Sequence, residues 1–202
     1  MLLDILNFAG VAVFAASGAM VGVRKDFDMW GIVTVGVLTG AGGGVLRDVL
    51  LGITPPSSIE NFGNVLTGTI ASLLVFAFHP AFTRLRRSIL VLDAFGMGLF
   101  AATGASIAVE VGASAFAATA VGLLTAVGGG VLRDVISNEI PLLLQPADLY
   151  AVPALLGATV VAVGSYHTPV PDWVWLIVGS ILATGLRLLG LKFGWRLPTA
   201  RR

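Results

Sequence analysis

The sequence predicts an all-α integral membrane protein with seven transmembrane helices: an inverted repeat of two three-helix units, plus a seventh helix. Three observations predict it. The 202 residues are 56% hydrophobic and only 11% charged, against roughly 25% charged in a soluble domain. That leaves too little polar surface to coat a water-soluble globule. The apolar residues fall in continuous stretches near the ~20 residues a helix needs to cross a bilayer, without the alternation of a membrane β-barrel. Finally, twelve residues occur twice. Thr-Gly-Ala-Gly-Gly-Gly-Val-Leu-Arg-Asp-Val-Leu from Thr39 to Leu50 returns at Thr125 to Ile136, with nine of twelve positions identical at an offset of 86.

The seven apolar segments lie at 3–22, 30–51, 62–79, 89–109, 114–136, 148–165 and 173–191. Turn-forming segments separate them: Arg24 to Asp28, Thr54 to Ser58, His79-Pro80, Pro141 and Pro169 to Asp172. Trp30, Trp173 and Trp175 sit near helix starts, where aromatic rings favour the membrane interface. The whole chain, 1–202, is one membrane domain. Residues 3–79 form the first repeat, 89–165 the second, and 173–191 the added helix.

Lys and Arg fix the orientation. Arg24 and Lys25 follow helix one, Arg84, Arg86 and Arg87 follow helix three, and Lys192, Arg196, Arg201 and Arg202 form the tail. With seven spans all nine share one face, and the loops of the other face have none. The positive-inside rule places the C-terminus in the cytoplasm and the N-terminus outside. The expected location is the cell (inner) membrane. The N-terminal segment lacks the positive n-region of a secretory signal and reads as a retained helix.

The repeat extends beyond the twelve residues. Phe14 to Ala19 matches Phe100 to Ala105, Asn7 aligns with Asp93, Gly10 with Gly96, and Pro55 with Pro141. Three spans per unit is an odd number, so the second unit enters from the opposite face. Many transport proteins have this architecture.

Gly42, Gly43 and Gly44 lie roughly 20 Å beyond Trp30 along a helix rising ~1.5 Å per residue. Three adjacent glycines predict a kink or break in helix two, and Gly128, Gly129 and Gly130 predict the same in helix five. Freed carbonyls at that depth must face protein or water, and they suit a partly dehydrated alkali cation. Close packing is the competing explanation. It accounts for Gly36, Gly40, Gly10 and Gly96, whose small-residue spacing lets backbones touch.

Arg47-Asp48 and Arg133-Asp134 follow the triplets. Intramembrane charges face a bundle interior or a wet cavity, or else snorkel at helix ends. Neighbours on a helix diverge by ~100°, so Arg47 is expected to pair with Asp134 or Asp93, or to cap freed carbonyls. Asp93 opens helix four beside the basic loop as a pore-lining or capping group. Ser17, Thr103, Thr39 and Thr125 are candidate pore-lining hydroxyls, or bond to their own backbone.

Cysteine is absent, which excludes disulfides and thiolate metal sites. His79 and His167 sit beside predicted loops as solvated side chains, so no metal site is expected. No activated nucleophile, phosphate loop or acid pair with motif spacing is present, and no enzyme activity, cofactor or nucleic-acid partner is expected. Membrane lipids are the surrounding partners.

The paired Gly-Gly-Gly-Val-Leu-Arg-Asp motifs, the duplicated three-helix units and the seventh helix resemble the prokaryotic trimeric intracellular cation (TRIC) channels, over about residues 3–195. The resemblance implies a homotrimer with one ion pathway inside each protomer. It implies passive, potassium-preferring permeation of monovalent cations, K+ or Na+ being bound only transiently. The glycine triplets would be pore kinks in helices two and five. Arg47, Asp48, Arg133 and Asp134 would be charged pore or gate residues. Animal members carry a lysine-rich lipid-binding motif on the fifth helix. This chain has Val131-Leu132-Arg133-Asp134 there, so that site is not carried over. The alternative function is a secondary transporter of a small, glycine-like solute, since inverted repeats suit alternating access equally well.

Overall fold

Cap residues mark where a helix starts and stops, and this chain repeats two such sets of marks at an offset of 86 residues. In the computed structural model, which describes residues 1–79, 85–145 and 149–198, every regular element is helical. The α-helices are α1 (Leu2–Arg24), α2 (Met29–Leu51), the short α3 (Ser57–Glu60), α4 (Phe62–Phe78), α5 (Leu85–Glu110), α6 (Ala115–Ile136), α7 (Ala151–His167) and α8 (Asp172–Phe193), with a 3-10 turn at Leu142–Leu144. Five of these are long and apolar enough to cross a membrane, and α4 and α7 are shorter apolar helices. Pro80, Arg84, Asp148, Arg201 and Arg202 lie outside the described residues.

The observed bounds follow the predicted segments with one informative difference. Arg86 and Arg87, expected in a loop, occupy the first turn of α5. Both side chains are exposed, so extending the helix costs them no hydration.

The repeat reaches into the caps. Asp28 accepts from the Gly31 amide at 2.7 Å to start α2, and Ser114, 86 residues on, accepts from Ala117 at 3.3 Å to start α6. At the other end Gly52 (φ 70°) closes α2, and Asn138 (φ 53°) takes the equivalent left-handed position after α6. The bond from the Ile53 amide to the Asp48 carbonyl recurs as Glu139 to Asp134, both at 2.8 Å.

Packing between the units is reciprocal. A Cβ on Gly10 would lie 2.5 Å from the Phe100 ring, and one on Gly96 would lie 2.7 Å from the Phe14 ring. The two rings meet edge to face with centroids 5.2 Å apart. Exchange of partners under the same offset is the signature of a two-fold axis, here relating α1, α2 and α4 to α5, α6 and α7. The surrounding core is built from alanine, including Ala101, Ala105, Ala126, Ala154, Ala158 and Ala183. Lipid gives helices no hydrophobic reason to associate, so small residues that bring backbones close supply the attraction. Large apolar side chains such as Leu66, Ile70, Leu74 and Ile181 point outward instead.

The glycine triplets correct one expectation. α2 and α6 are helical without interruption from Met29 to Leu51 and from Ala115 to Ile136. Of the expected kink or break, the break is therefore overturned: both helices keep their helical run through the triplet.

Candidate functional site

α2 and α6 meet at their triplets more closely than any side chain allows. A Cβ on Gly43 would overlap the Thr125 carbonyl oxygen, and one on Gly129 would overlap the Thr39 carbonyl oxygen. Gly42 faces Leu132 and Gly128 faces Leu46, again as exchanged partners. The triplets are therefore a backbone-to-backbone crossing on the two-fold axis. Thr39 and Thr125, fully buried beside it, donate to the Val35 and Val121 carbonyls on their own helices, each at 2.6 Å. Thr103 likewise donates to Leu99 at 2.9 Å. These three hydroxyl protons are committed to backbone, which leaves only lone pairs for another ligand.

Beyond the crossing each helix carries its Arg-Asp pair, and neither arginine snorkels. Arg47 is 3% exposed and Arg133 1%. Helical side chains lean toward the N-terminus, and each guanidinium folds back beside the last glycine of its own triplet. A Cβ on Gly44 would lie 3.8 Å from Arg47 Nη2, and one on Gly130 would lie 3.7 Å from Arg133 Nη2. Those are ordinary contacts; what a Cβ would strike is Ser58 Oγ at Gly44 and the Tyr150 hydroxyl at Gly130.

At the end of α6, Arg133 Nε donates to Asp134 Oδ1 at 2.8 Å, and Nη1 donates to Asp93 Oδ1 at 2.6 Å and to Ser17 Oγ at 2.7 Å. Tyr150 also donates to Asp93 Oδ1, at 3.2 Å. Asp93 is therefore no interfacial cap; it is fully buried in the third turn of α5. Ser17, from the other repeat, joins the cluster, whereas its counterpart Thr103 does not join the other one. Asp134 Oδ2 accepts from the Leu142 amide at 2.8 Å, which ties the loop after α6 to the cluster.

At the end of α2, Arg47 Nε donates to Asp48 Oδ1 at 2.7 Å, and Nη2 reaches Ser57 Oγ at 3.1 Å. Ser57 gives both its amide (2.8 Å) and its hydroxyl (2.6 Å) to Asp48 Oδ2. Asn64 donates to the Ser57 carbonyl and accepts from Asn7. The expected pairing of Arg47 with Asp134 or Asp93 is thus corrected. Each arginine pairs with the aspartate beside it in sequence, because a guanidinium on a long stem curls round to a carboxylate that α-carbon directions alone would place out of reach.

Four participants were missing from the sequence reading. Ser57 lies in the turn-forming segment Thr54 to Ser58, whose composition signals a loop and not a site. Asn64 and Tyr150 are 86 residues apart, and both close their clusters, so the repeat itself could have found them. Arg187, six residues before the end of α8, is fully buried. Its Cζ lies 4.9 Å from the Tyr150 ring centroid, and Nη1 donates to the Leu149 carbonyl at 3.2 Å. It is an intramembrane cation, which is the signal that marks such residues.

The Arg133 cluster borders a cavity of about 330 Å³ whose lining includes Arg24, Arg86, Arg133, Asp134, Glu139 and Gln145. Glu139 binds the end of α1, pairing with Arg24 and, at 3.1 Å, with Lys25. Burial alone would raise its carboxyl, but hydrogen bonds from Lys25 and Arg24 and their charges outweigh burial and hold it below the usual glutamate range. This end of the molecule therefore carries the cations of α1, α5 and α8, and the Arg47 cluster lies at the other.

A family model described as Glycine transporter matches residues 4–80 and again 90–166, the two matches being separated by the offset of the repeat. A UPF0126 membrane protein of Deinococcus radiodurans is 38% identical over 198 residues, covering 97% of this chain and 91% of the relative. A structure described as bearing on conductance through TRIC cation channels superposes with a TM-score of 0.89 at 39% identity, covering 100% of this chain and 98% of the other. The TRIC orthologue from Rhodobacter sphaeroides gives 0.90 at 36% identity, covering 96% and 99%. These structures are of ion channels, and the protein is not an enzyme. It is an integral membrane protein that, by family model, sequence and structure together, belongs to the prokaryotic TRIC channel family.

Proposed function

We propose that the protein is a passive, potassium-preferring channel for monovalent cations. Each protomer of a homotrimer in the cell's inner membrane holds its own pathway, running beside the α2–α6 crossing from the Arg47 cluster to the Arg133 cluster. K+ or Na+ is held transiently and no cofactor is needed. The N-terminus lies outside and the cation-rich end, with the C-terminus, lies in the cytoplasm.

The observation that carries this reading is the placement of a buried Arg-Asp cluster at each end of one helix crossing, in a chain similar along its length to cation channels. Buried intramembrane charges of this kind mark ion pathways. Arginines that lined a cation pathway alone would repel its cargo. Here Asp48 neutralises Arg47, and Asp134 and Asp93 attend Arg133. Thr39, Thr125, Thr103 and Ser17 supply the oxygens along the buried path. Movement of Arg133 away from its carboxylates is the gating step.

The family model's description favours one other reading, a carrier for a glycine-like zwitterion. Flux measurements on purified protein in proteoliposomes separate the two. A channel gives a potassium flux that builds a membrane potential and rises linearly with driving force. Saturable uptake of labelled glycine without potassium current would replace the channel with a carrier.

A further inference from the structure

The face between α5 and α8 carries a groove that shares only Arg86 and Leu90 with the cavity beside the Arg133 cluster. At the cation-rich end a cavity of about 900 Å³ is ringed by Arg86, Arg87 and Lys192 and floored by Leu90, Leu188 and Leu191. Of the described residues lining it, none is acidic. A second cavity, of about 400 Å³, continues along the same two helices between Phe95, Leu99, Ile181 and Gly185, and Leu188 lines both. Gly185 opens the second cavity: a Cβ there would meet nothing within 4 Å. From Arg87 to Leu99 the groove runs about 18 Å at ~1.5 Å per residue, near the ~15 Å depth of one leaflet of a ~30 Å hydrocarbon core.

We propose that this groove is a binding site for an anionic phospholipid, with its phosphate among Arg86, Arg87 and Lys192 and an acyl chain lying past Leu188 and Gly185. The order of the chemistry selects the ligand. Three exposed cations without a lining carboxylate prefer a net negative headgroup to a zwitterionic one. A free anion would use the cations and leave the apolar continuation empty. A lipid fills both parts, and its two ends sit at the depths that the bilayer gives them. The site is independent of what the protein conducts.

Native mass spectrometry of the full chain, loaded with an equal mixture of phosphatidylglycerol and phosphatidylcholine, tests it. The wild type should retain phosphatidylglycerol preferentially. The triple variant Arg86→Gln, Arg87→Gln, Lys192→Gln, which alters only exposed side chains, should lose about tenfold or more of that preference. Gly185→Phe should reduce retention of both lipids with all three charges in place, and Arg196→Gln should change neither. Unchanged preference in the triple variant would overturn the proposal. So would displacement of the lipid from the wild type by millimolar glycerophosphate, which would make the site a pocket for free anions. A change in oligomeric mass for Gly185→Phe without loss of lipid would make the groove a contact between copies of the chain, and would also overturn it.

Discussion

The Arg47 and Arg133 clusters start from the same seven residues and end as different objects. Around Arg47 there is one buried carboxylate, Asp48, and the rest of the network is neutral: Ser57, Asn64 and Asn7. Around Arg133 the equivalents of Asn7 and Asn64 are Asp93 and Tyr150, and Arg187 packs on the tyrosine from a helix outside the repeat. The first cluster is drawn entirely from its own repeat. The second joins α1, α5, α6 and the start of α7, with α8 behind it. A repeated motif thus fixes the arginine-aspartate pair, and its surroundings decide how firmly that pair is held. Removing one partner of a buried ion pair costs about 3–5 kcal/mol, because the other is left charged and unpaired. The denser cluster has more to lose.

The largest effect should be the same in both halves. Gly43→Leu and Gly129→Leu each force a side chain into a backbone carbonyl of the facing helix. Overpacking of this kind costs about 3 kcal/mol or more where the obstacle cannot move. Both variants should lose the monodisperse species in size-exclusion chromatography. Retention of a well-folded protein by one and not the other would break the two-fold equivalence of the crossing. These substitutions therefore probe folding, and a loss of flux in them would not identify a pore.

The next effect should separate the halves. Asp93→Ala strands Arg133 and should lower stability by about 3–5 kcal/mol. Asn7→Ala at the equivalent position removes one neutral hydrogen bond and should cost about 1 kcal/mol or less. Thermal unfolding in detergent reads both, and equal shifts would show that the extra carboxylate does not hold Arg133. Gating should divide the same way. In single-channel recordings Arg133→Ala should change open probability or its voltage dependence more than Arg47→Ala does. Traces of Arg133→Ala indistinguishable from wild type would remove it from the gate.

The smallest effect lies at Glu139. Its carboxyl is held down by Lys25 and Arg24, so its contribution to stability is complete above the ordinary glutamate value of 4.5 and is lost as pH falls through the depressed value. The pair is partly exposed and worth under about 1 kcal/mol. Glu139→Gln should flatten the acid limb of a stability-versus-pH curve by that amount, and an unchanged limb would show that the bridge contributes nothing.

Much of this was legible before any coordinates. Charge scarcity and segment length determined the membrane class, since a chain with so few polar residues has no other solvent that suits it. The offset of 86 carried the duplication, and with it the equivalence of Phe14 to Phe100, of Gly43 to Gly129 and of one Arg-Asp pair to the other. The sequence could not decide what the glycines are for. Poor helix propensity and close approach demand the same residue, and only the position of the facing carbonyl oxygen distinguishes them; here the Thr125 and Thr39 carbonyls stand where a side chain at Gly43 or Gly129 would lie. Nor could it decide the partners of the arginines, because the reach of a guanidinium exceeds the angular separation that helical periodicity predicts. Tertiary structure alone brought Ser17 to Arg133, left Thr103 on its own backbone, and set Arg187 behind Tyr150. Those contacts join residues from different helices, and the interhelical distances that create them depend on how closely glycine and alanine let the backbones approach.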